Sequence, residues 1–209
     1  MSAYFITGIG TGVGKTMVSA IIAEALQADY WKPVQAGVLD GTDSLAIQRL
    51  LTNSHSVVHP ESYVLKFAAS PHLAASEEGF EISVEDIAAD MPSTSNTLII
   101  EGAGGVLSPI NKKEFNIDII KRLNTPVIIV SRNYLGSINH SMMTAQVLKQ
   151  HNIKVAGWIF NDEYLDYEND IVEWSGYPWI ASVRHIETLD KIAIHAQAMK
   201  IRDHLKMFL

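Results

Sequence analysis

The segment that most constrains the fold is Gly8-Ile9-Gly10-Thr11-Gly12-Val13-Gly14-Lys15-Thr16. A short apolar run, Ala3–Thr7, leads into it, and a helical pattern over Thr16–Leu26 leads out. A strand, a glycine-rich loop and a helix in this order form a cradle for phosphate. Glycines let successive backbone N–H groups turn inward toward phosphate oxygens, and the new helix adds the positive end of its dipole. In that geometry Gly10, Gly12, Val13 and Gly14 supply backbone, Lys15 reaches the β- and γ-phosphates, and the Thr16 hydroxyl ligates Mg²⁺. The usual spacing puts a glycine where Ile9 stands, and Gly8 is one residue early. The competing reading is a glycine-rich turn with an exposed lysine.

Short apolar runs alternate with longer amphipathic stretches along the rest of the chain, a βαβ pattern that predicts a parallel sheet. Strands are expected at Ala3–Thr7, Tyr30–Val34, Thr97–Glu101, Val127–Ser131 and Val155–Asn161, with a weaker one at Trp179–Val183. Four are short, apolar nearly throughout and rich in Ile and Val, as in strands buried on both faces, and Tyr30–Val34 is the less typical one. Helices are expected at Thr16–Leu26, Thr42–Leu51, Ser83–Asp90, Asn116–Leu123, Ser137–His151, Tyr167–Trp174 and from about Thr188 onward. Ser83 and Asp86 form a variant of the capping box. Thr52–Phe80 has poor periodicity and reads as an irregular insertion over the sheet edge. The fold class is thus α/β, a single domain over residues 1–209, its mostly parallel sheet flanked by helices on both faces.

A net charge of −7 disfavours nucleic acid or an anionic membrane as partner. The absence of cysteine excludes disulfides and thiolate chemistry. No apolar run reaches transmembrane length, and the N-terminal residues lack a basic leader, so the cytoplasm is the expected location. His55 and His59 are four apart, but no helix or third ligand accompanies them, and a metal role is disfavoured.

Further segments bear on chemistry. Leu98-Ile99-Ile100-Glu101-Gly102-Ala103-Gly104-Gly105 ends an apolar strand with a carboxylate and then glycines. Ligands gather at the C-terminal ends of parallel strands. Glu101 there is either a Mg²⁺ ligand or an acid capping a turn, and Gly104 and Gly105 would let backbone approach a substrate. Lys32, in Trp31-Lys32-Pro33-Val34-Gln35-Ala36-Gly37, is either a phosphate partner or a solvated lysine. Asp43 is either a metal ligand or an acid favoured by a helix dipole. Asn161 offers the donor and acceptor that match adenine's edge, or is a turn asparagine.

Taken together and in order, Gly8–Thr16, Trp31–Gly37, Asp43, Ser70-Pro71-His72, Glu101–Gly105, Leu135–His140 and Ala156–Trp158 through Asn161-Asp162 resemble the dethiobiotin synthetase family of P-loop enzymes. The matching pieces run from about Ala3 to about Val183, and the longer loop spacing is also that family's. The resemblance implies ATP and Mg²⁺ as cofactors and 7,8-diaminononanoate and CO₂ as small-molecule substrates. It implies that Lys15 and Lys32 bracket the carbamate and γ-phosphate, with Thr11 near both. It gives Mg²⁺ to Thr16, Asp43 and Glu101, and adenine to Asn161. It implies a homodimer in which Asn139 and Tyr167 bind the substrate carboxylate across the subunit boundary. Ala36 stands where some relatives have a serine on the substrate, and Gly12 where some have an acid. The segment Ala181–His185 lacks the family's Gly-x-Ile-Pro turn. The competing function is a ParA-like nucleotide switch acting through partners. That group has a lysine where Gly10 stands, which counts against it.

Overall fold

A computed structural model describes residues 2–39 and 41–209. At the centre of its main sheet lies β1 (Ala3–Gly8), between β6 (Leu98–Gly105) and β7 (Val127–Arg132). Beyond β6 come β2 (Asp29–Trp31) and the edge strand β4 (Val58–His59). Beyond β7 come β8 (Val155–Asn161) and β9 (Trp179–Val183). All these pairs are parallel. A second, two-stranded sheet joins β3 (Val34–Ala36) and β5 (Tyr63–Leu65).

The apolar strands serve both faces of the sheet because side chains alternate. Ile6, Ile99, Ile128 and Ile159 point to one core, under α1 (Lys15–Leu26), α2 (Asp43–Leu50) and α8 (Lys191–Phe208). Phe5, Ile100, Ile129 and Phe160 point to the other. That core lies under α4 (Val84–Ala89), α5 (Asn116–Leu123), α6 (Ser137–Gln150) and α7 (Glu168–Ser175). The short α3 (Pro71–Glu77) packs on the small sheet. Helix α1 is buried almost all round, between the sheet, α2 and α8, which explains its run of Ala and Ile. Thr42 caps α2, its Oγ1 accepting from Leu45 N–H at 3.2 Å, and the expected box at Ser83 forms by half: Ser83 Oγ accepts from Asp86 N–H at 3.1 Å, but Ser83 N–H donates to the Tyr63 hydroxyl at 3.3 Å and not to the Asp86 carboxylate.

Two expectations need correction. The strand expected at Tyr30–Val34 is broken, with β2 ending at Trp31 and β3 starting at Val34 in the other sheet. Pro33 has no N–H to continue a ladder, and it offers only its carbonyl, which accepts from Tyr63 N–H at 2.9 Å. The segment Thr52–Phe80 does reach the sheet edge, but it is not irregular throughout. It carries β4, β5 and the whole of α3. Strands of two or three residues are too short to leave a periodic trace in sequence.

The strand order places the C-terminal ends of β1, β2 and β6 side by side. From β1 the chain crosses one way to β2, and from β6 the other way to β7. Such a reversal opens a crevice at the carboxyl edge of the sheet.

Candidate active site

The glycine-rich loop fills that crevice. Helix α1 begins at Lys15, and Gly14 before it has φ +89°, a left-handed conformation costly for a side-chain-bearing residue. Space there is closed as well. A Cβ on Gly14 would lie 2.3 Å from Asn161 Nδ2. Asn161, at the end of β8, donates from that nitrogen to the Val13 carbonyl at 2.8 Å, so the end of a distant strand clamps the loop. Lys15 folds back over the loop and donates to the Gly10 carbonyl at 3.0 Å. Burial lowers the Lys15 ammonium to about 8, against the opposing pull of Glu101.

The register pairs Ile6 of β1 with Glu101 of β6, which puts the carboxylate beneath the loop. Glu101 is buried and receives donors on both oxygens. Thr16 Oγ1 reaches Oε1 at 2.9 Å, Lys32 Nζ reaches Oε1 at 3.1 Å, and the Tyr30 hydroxyl reaches Oε2 at 2.9 Å. Lys32 also pairs with Asp43 Oδ2. Burial pulls the Lys32 ammonium down, but Glu101 and Asp43 outweigh it and hold it above the usual lysine value. Lys32 is not a solvated lysine: the break at Pro33 leaves it buried at the end of β2. Asp43 sits in the first turn of α2, and its N–H donates to Gln35 Oε1 at 3.1 Å. Gln35 in turn donates to the Gly37 carbonyl at 2.9 Å, fixing the approach of the helix to the crevice.

These groups line one pocket of about 750 Å³. Lys15, Thr16, Lys32, Asp43 and Glu101 form its polar floor, with Thr11, Gly12, Ala36 and Gly104 on its walls. Gly104 has φ +77°, and a Cβ there would lie 2.2 Å from Ser108 Oγ. The hydroxyl of Ser108 accepts from Gly105 N–H at 2.8 Å, so the chain turns tightly where β6 ends. Leu189 completes the rim, so the divergent segment after Val183 still contributes to this pocket.

Thr16, Asp43 and Glu101 are hard oxygen donors that suit Mg²⁺. Among the described residues no group of three or more His, Cys, Asp or Glu side chains gathers to hold a metal ion. The oxygen set would therefore be completed by phosphate and water, the usual arrangement for Mg²⁺. His59 is committed elsewhere, with Nε2 3.1 Å from Asp29 Oδ2 at the sheet edge.

Asn139 lies apart from the floor. It lines a second, more apolar depression of about 760 Å³ with Ile9, Gly10, Gly105, Met143 and Val147. Thr11 and Ser108 border both depressions and join them. Tyr167 is buried under the start of α6, where its hydroxyl lies 2.7 Å from Ser137 Oγ and donates to the Tyr134 carbonyl at 3.2 Å. Sequence reasoning missed Tyr30, Gln35 and Ser108. Tyr30 left one signal, since it stands two residues before Lys32 and alternation puts both on one face of a strand.

A family model described as an AAA domain matches residues 2–193. The ATP-dependent dethiobiotin synthetase BioD of Cytophaga hutchinsonii is 50% identical over 206 residues, 98% of each chain. That of Christiangramia forsetii is 42% identical over 204 residues, 97% of each. That of Rhodopseudomonas palustris is 40% identical over 204 residues, 96% of this chain and 95% of the relative. Among solved structures, the cell division ATPase MinD of Pyrococcus furiosus aligns over 100% of both chains with a TM-score of 0.60 at 11% identity. MinD of Aquifex aeolicus aligns over 97% of this chain and 98% of its own, with a TM-score of 0.60 at 14% identity. At such identities the likeness to the cell-division proteins is one of fold alone. Identity of this extent over nearly full length is another matter: the chain belongs to the ATP-dependent dethiobiotin synthetase family.

Proposed function

We propose that the chain is an ATP-dependent dethiobiotin synthetase, which closes the ureido ring of dethiobiotin on 7,8-diaminononanoate. The observation that carries this reading is the gathering of Lys15, Thr16, Lys32, Asp43 and Glu101 on the floor of one pocket. In the proposed sequence one amine adds to CO₂ and loses a proton, giving a carbamate. The carbamate oxygen attacks the γ-phosphorus of ATP and ADP departs. The second amine then attacks the carbamoyl carbon and loses a proton, phosphate leaves with its electron pair, and a five-membered ring closes.

No side chain is required as a nucleophile, because the substrate provides it. The chain's task is positioning and charge stabilisation. The loop backbone from Gly10 to Gly14 and Lys15 would hold the phosphates, and Asn161 would keep its carbonyl for the adenine amino group. Lys32 would face the carbamate and the transferring phosphoryl group. When bound, Mg²⁺ supplies charge neutralisation at the phosphates, held by Thr16, Asp43 and Glu101. Thr11, Ala36, Gly104 and Gly105 would form the wall against which the diamine rests.

A homodimer belongs to this reading. The depression beside Asn139 has exposed apolar side chains around it, among them Leu107 and Met143, as a self-complementary interface would. Asn139 lies in the first turn of α6, where free backbone N–H groups favour the substrate's carboxylate. Tyr167 would support that turn through Ser137. The test is incubation of the purified protein with the diamine, bicarbonate, Mg²⁺ and ATP, followed by mass spectrometry. Dethiobiotin and one ADP per ring are expected. ATP turnover indifferent to the diamine and to bicarbonate would overturn the proposal, and turnover stimulated by DNA or a partner protein would favour a nucleotide switch.

A further inference from the structure

We infer that Tyr30 is a positioning residue for the Glu101 carboxylate, pinning one of its oxygens so that the other is presented to Thr16 and to the metal. The inference rests on the reading above that gives Glu101 to Mg²⁺.

Tyr30 stands on β2, fully buried, and pairs in register with Ile99 of β6. Glu101 lies two residues beyond Ile99 on the same face, about 7 Å along the strand, a span that a phenol can bridge and a smaller side chain cannot. Tyr30 belongs to the apolar cluster of Ile6, Ile99 and the inner side of α1, with the Glu101, Asp43 and Glu61 carboxylates close enough to act on its hydroxyl. A phenylalanine would pack there equally well. A hydroxyl in such surroundings is costly unless it is bonded. Among the described residues its hydrogen bond goes to Glu101 Oε2, at 2.9 Å. A phenol keeps its proton at neutral pH, so the Tyr30 hydroxyl is the donor and the carboxylate the acceptor in this bond.

The division of labour on Glu101 follows. Oε1 takes both Thr16 and Lys32, the groups that border the pocket. Oε2 is turned inward and takes the phenol. Without that donor the inner oxygen is left in an apolar core, and the carboxylate turns toward Lys32 for compensation. Oε1 then leaves the position at which it meets Thr16. The cost falls on metal binding and not on the loop that grips phosphate, because Tyr30 does not line the pocket.

The test measures Mn²⁺ binding by electron paramagnetic resonance to the full-length protein bearing a non-hydrolysable ATP analogue. Tyr30→Phe, Glu101→Gln and the double variant are compared with the parent. Hydrogen bonds to charged groups carry enough free energy for Tyr30→Phe to weaken Mn²⁺ roughly tenfold. Metal-free affinity for the analogue should stay unchanged, and Tyr30→Phe should add nothing in the Glu101→Gln background. Mn²⁺ affinity unchanged by Tyr30→Phe but reduced by Glu101→Gln would overturn the role of Tyr30 and leave Glu101 in place. Affinity unchanged by both would overturn both. Additive losses in the double variant would show that Tyr30 does not act through Glu101 and overturn the inference. Should Tyr30→Phe fail to fold, 3-fluorotyrosine at position 30 decides. Its fluorine resonance should move when Mg²⁺ is added to the nucleotide complex, and a stationary resonance overturns the inference.

Discussion

Lys32 Nζ lies 3.1 Å from Glu101 Oε1, with both side chains almost wholly withdrawn from water. Removing one member of such a pair leaves the other charge buried and uncompensated. With Asp43 also on Lys32, this one ammonium holds two carboxylates together at the pocket floor.

Lys32→Ala is therefore expected to act twice. It should lower the thermal midpoint, because the two carboxylates lose the ammonium that pairs with both. It should also cut kcat by about a hundredfold or more, as loss of a charge-stabilising donor does. Lys15→Ala should instead weaken ATP binding at least about tenfold, because its charge meets phosphates already in the ground state. Calorimetry of ATP binding beside single-turnover kinetics separates the two. Retained kcat with lost ATP affinity in Lys32→Ala would reverse the assignments.

Gly14→Ala should damage the nucleotide site without touching a charged group. The residue has φ +89°, and its new Cβ would meet the Asn161 amide. The strain should cost about 1–3 kcal/mol of stability, seen as a lower urea midpoint. Asn161→Ala should weaken ATP with a smaller loss of stability. An undiminished ATP affinity in Gly14→Ala would mean that the clamp between Asn161 and Val13 is dispensable.

Glu24 predicts a pH dependence of stability. Burial would raise its carboxyl, but hydrogen bonds from Thr52, His195 and Asn53 prevail and hold it at about 2, below the usual 4.5. A carboxylate lowered on folding stabilises the protein above its unfolded value and loses that contribution as pH falls toward the folded value. The window is thus about pH 4.5 down to 2, and the contribution at pH 7, screened where the His195 partner is open to water, is about 1–3 kcal/mol. Glu24→Gln should be markedly less stable than the parent to urea at pH 7, with the gap closing through that window. A gap constant with pH would remove Glu24 as the titrating group.

The shared site has its own test. Lys32→Ala and Asn139→Ala chains, co-expressed with different tags, should form mixed dimers in which one site carries both defects and the other neither. Activity should return in the doubly tagged fraction to about half that of the parent per dimer, as expected if the two-fold-related sites act independently. Mixed dimers as inactive as either single variant would place Asn139 in the service of its own subunit.

The sequence was most legible where one strong local rule acts. Gly8–Thr16 reads as a phosphate loop because strand, glycines and helix are contiguous. Ser83 and Asn116 begin helices where their patterns say they should. Lys32 was ambiguous because its burial is decided at a distance, by Asp43 and Glu101, and by a proline that ends one sheet and begins another. Tyr30 was unreadable as a polar group. In sequence it is one more aromatic in a strand, and only the lateral register of β2 with β6 brings its hydroxyl to a carboxylate. Asn161 looked like a turn or a base reader, and its grip on Val13 depends on β8 ending level with the loop.

The central place of β1 has a consequence for biosynthesis. Its two neighbours are β6, which begins at Leu98, and β7, which begins at Val127. On a growing chain β1, with Phe5 and Ile6 destined for opposite cores, has no partner until the residues of β6, from Leu98 onward, have left the ribosome. Its second edge stays open until later still. The phosphate loop is thus made well before the strands that fix its final shape. A pause in translation before residue 98 would prolong the exposure of an apolar, unpaired strand, the condition under which nascent chains associate with chaperones or with one another.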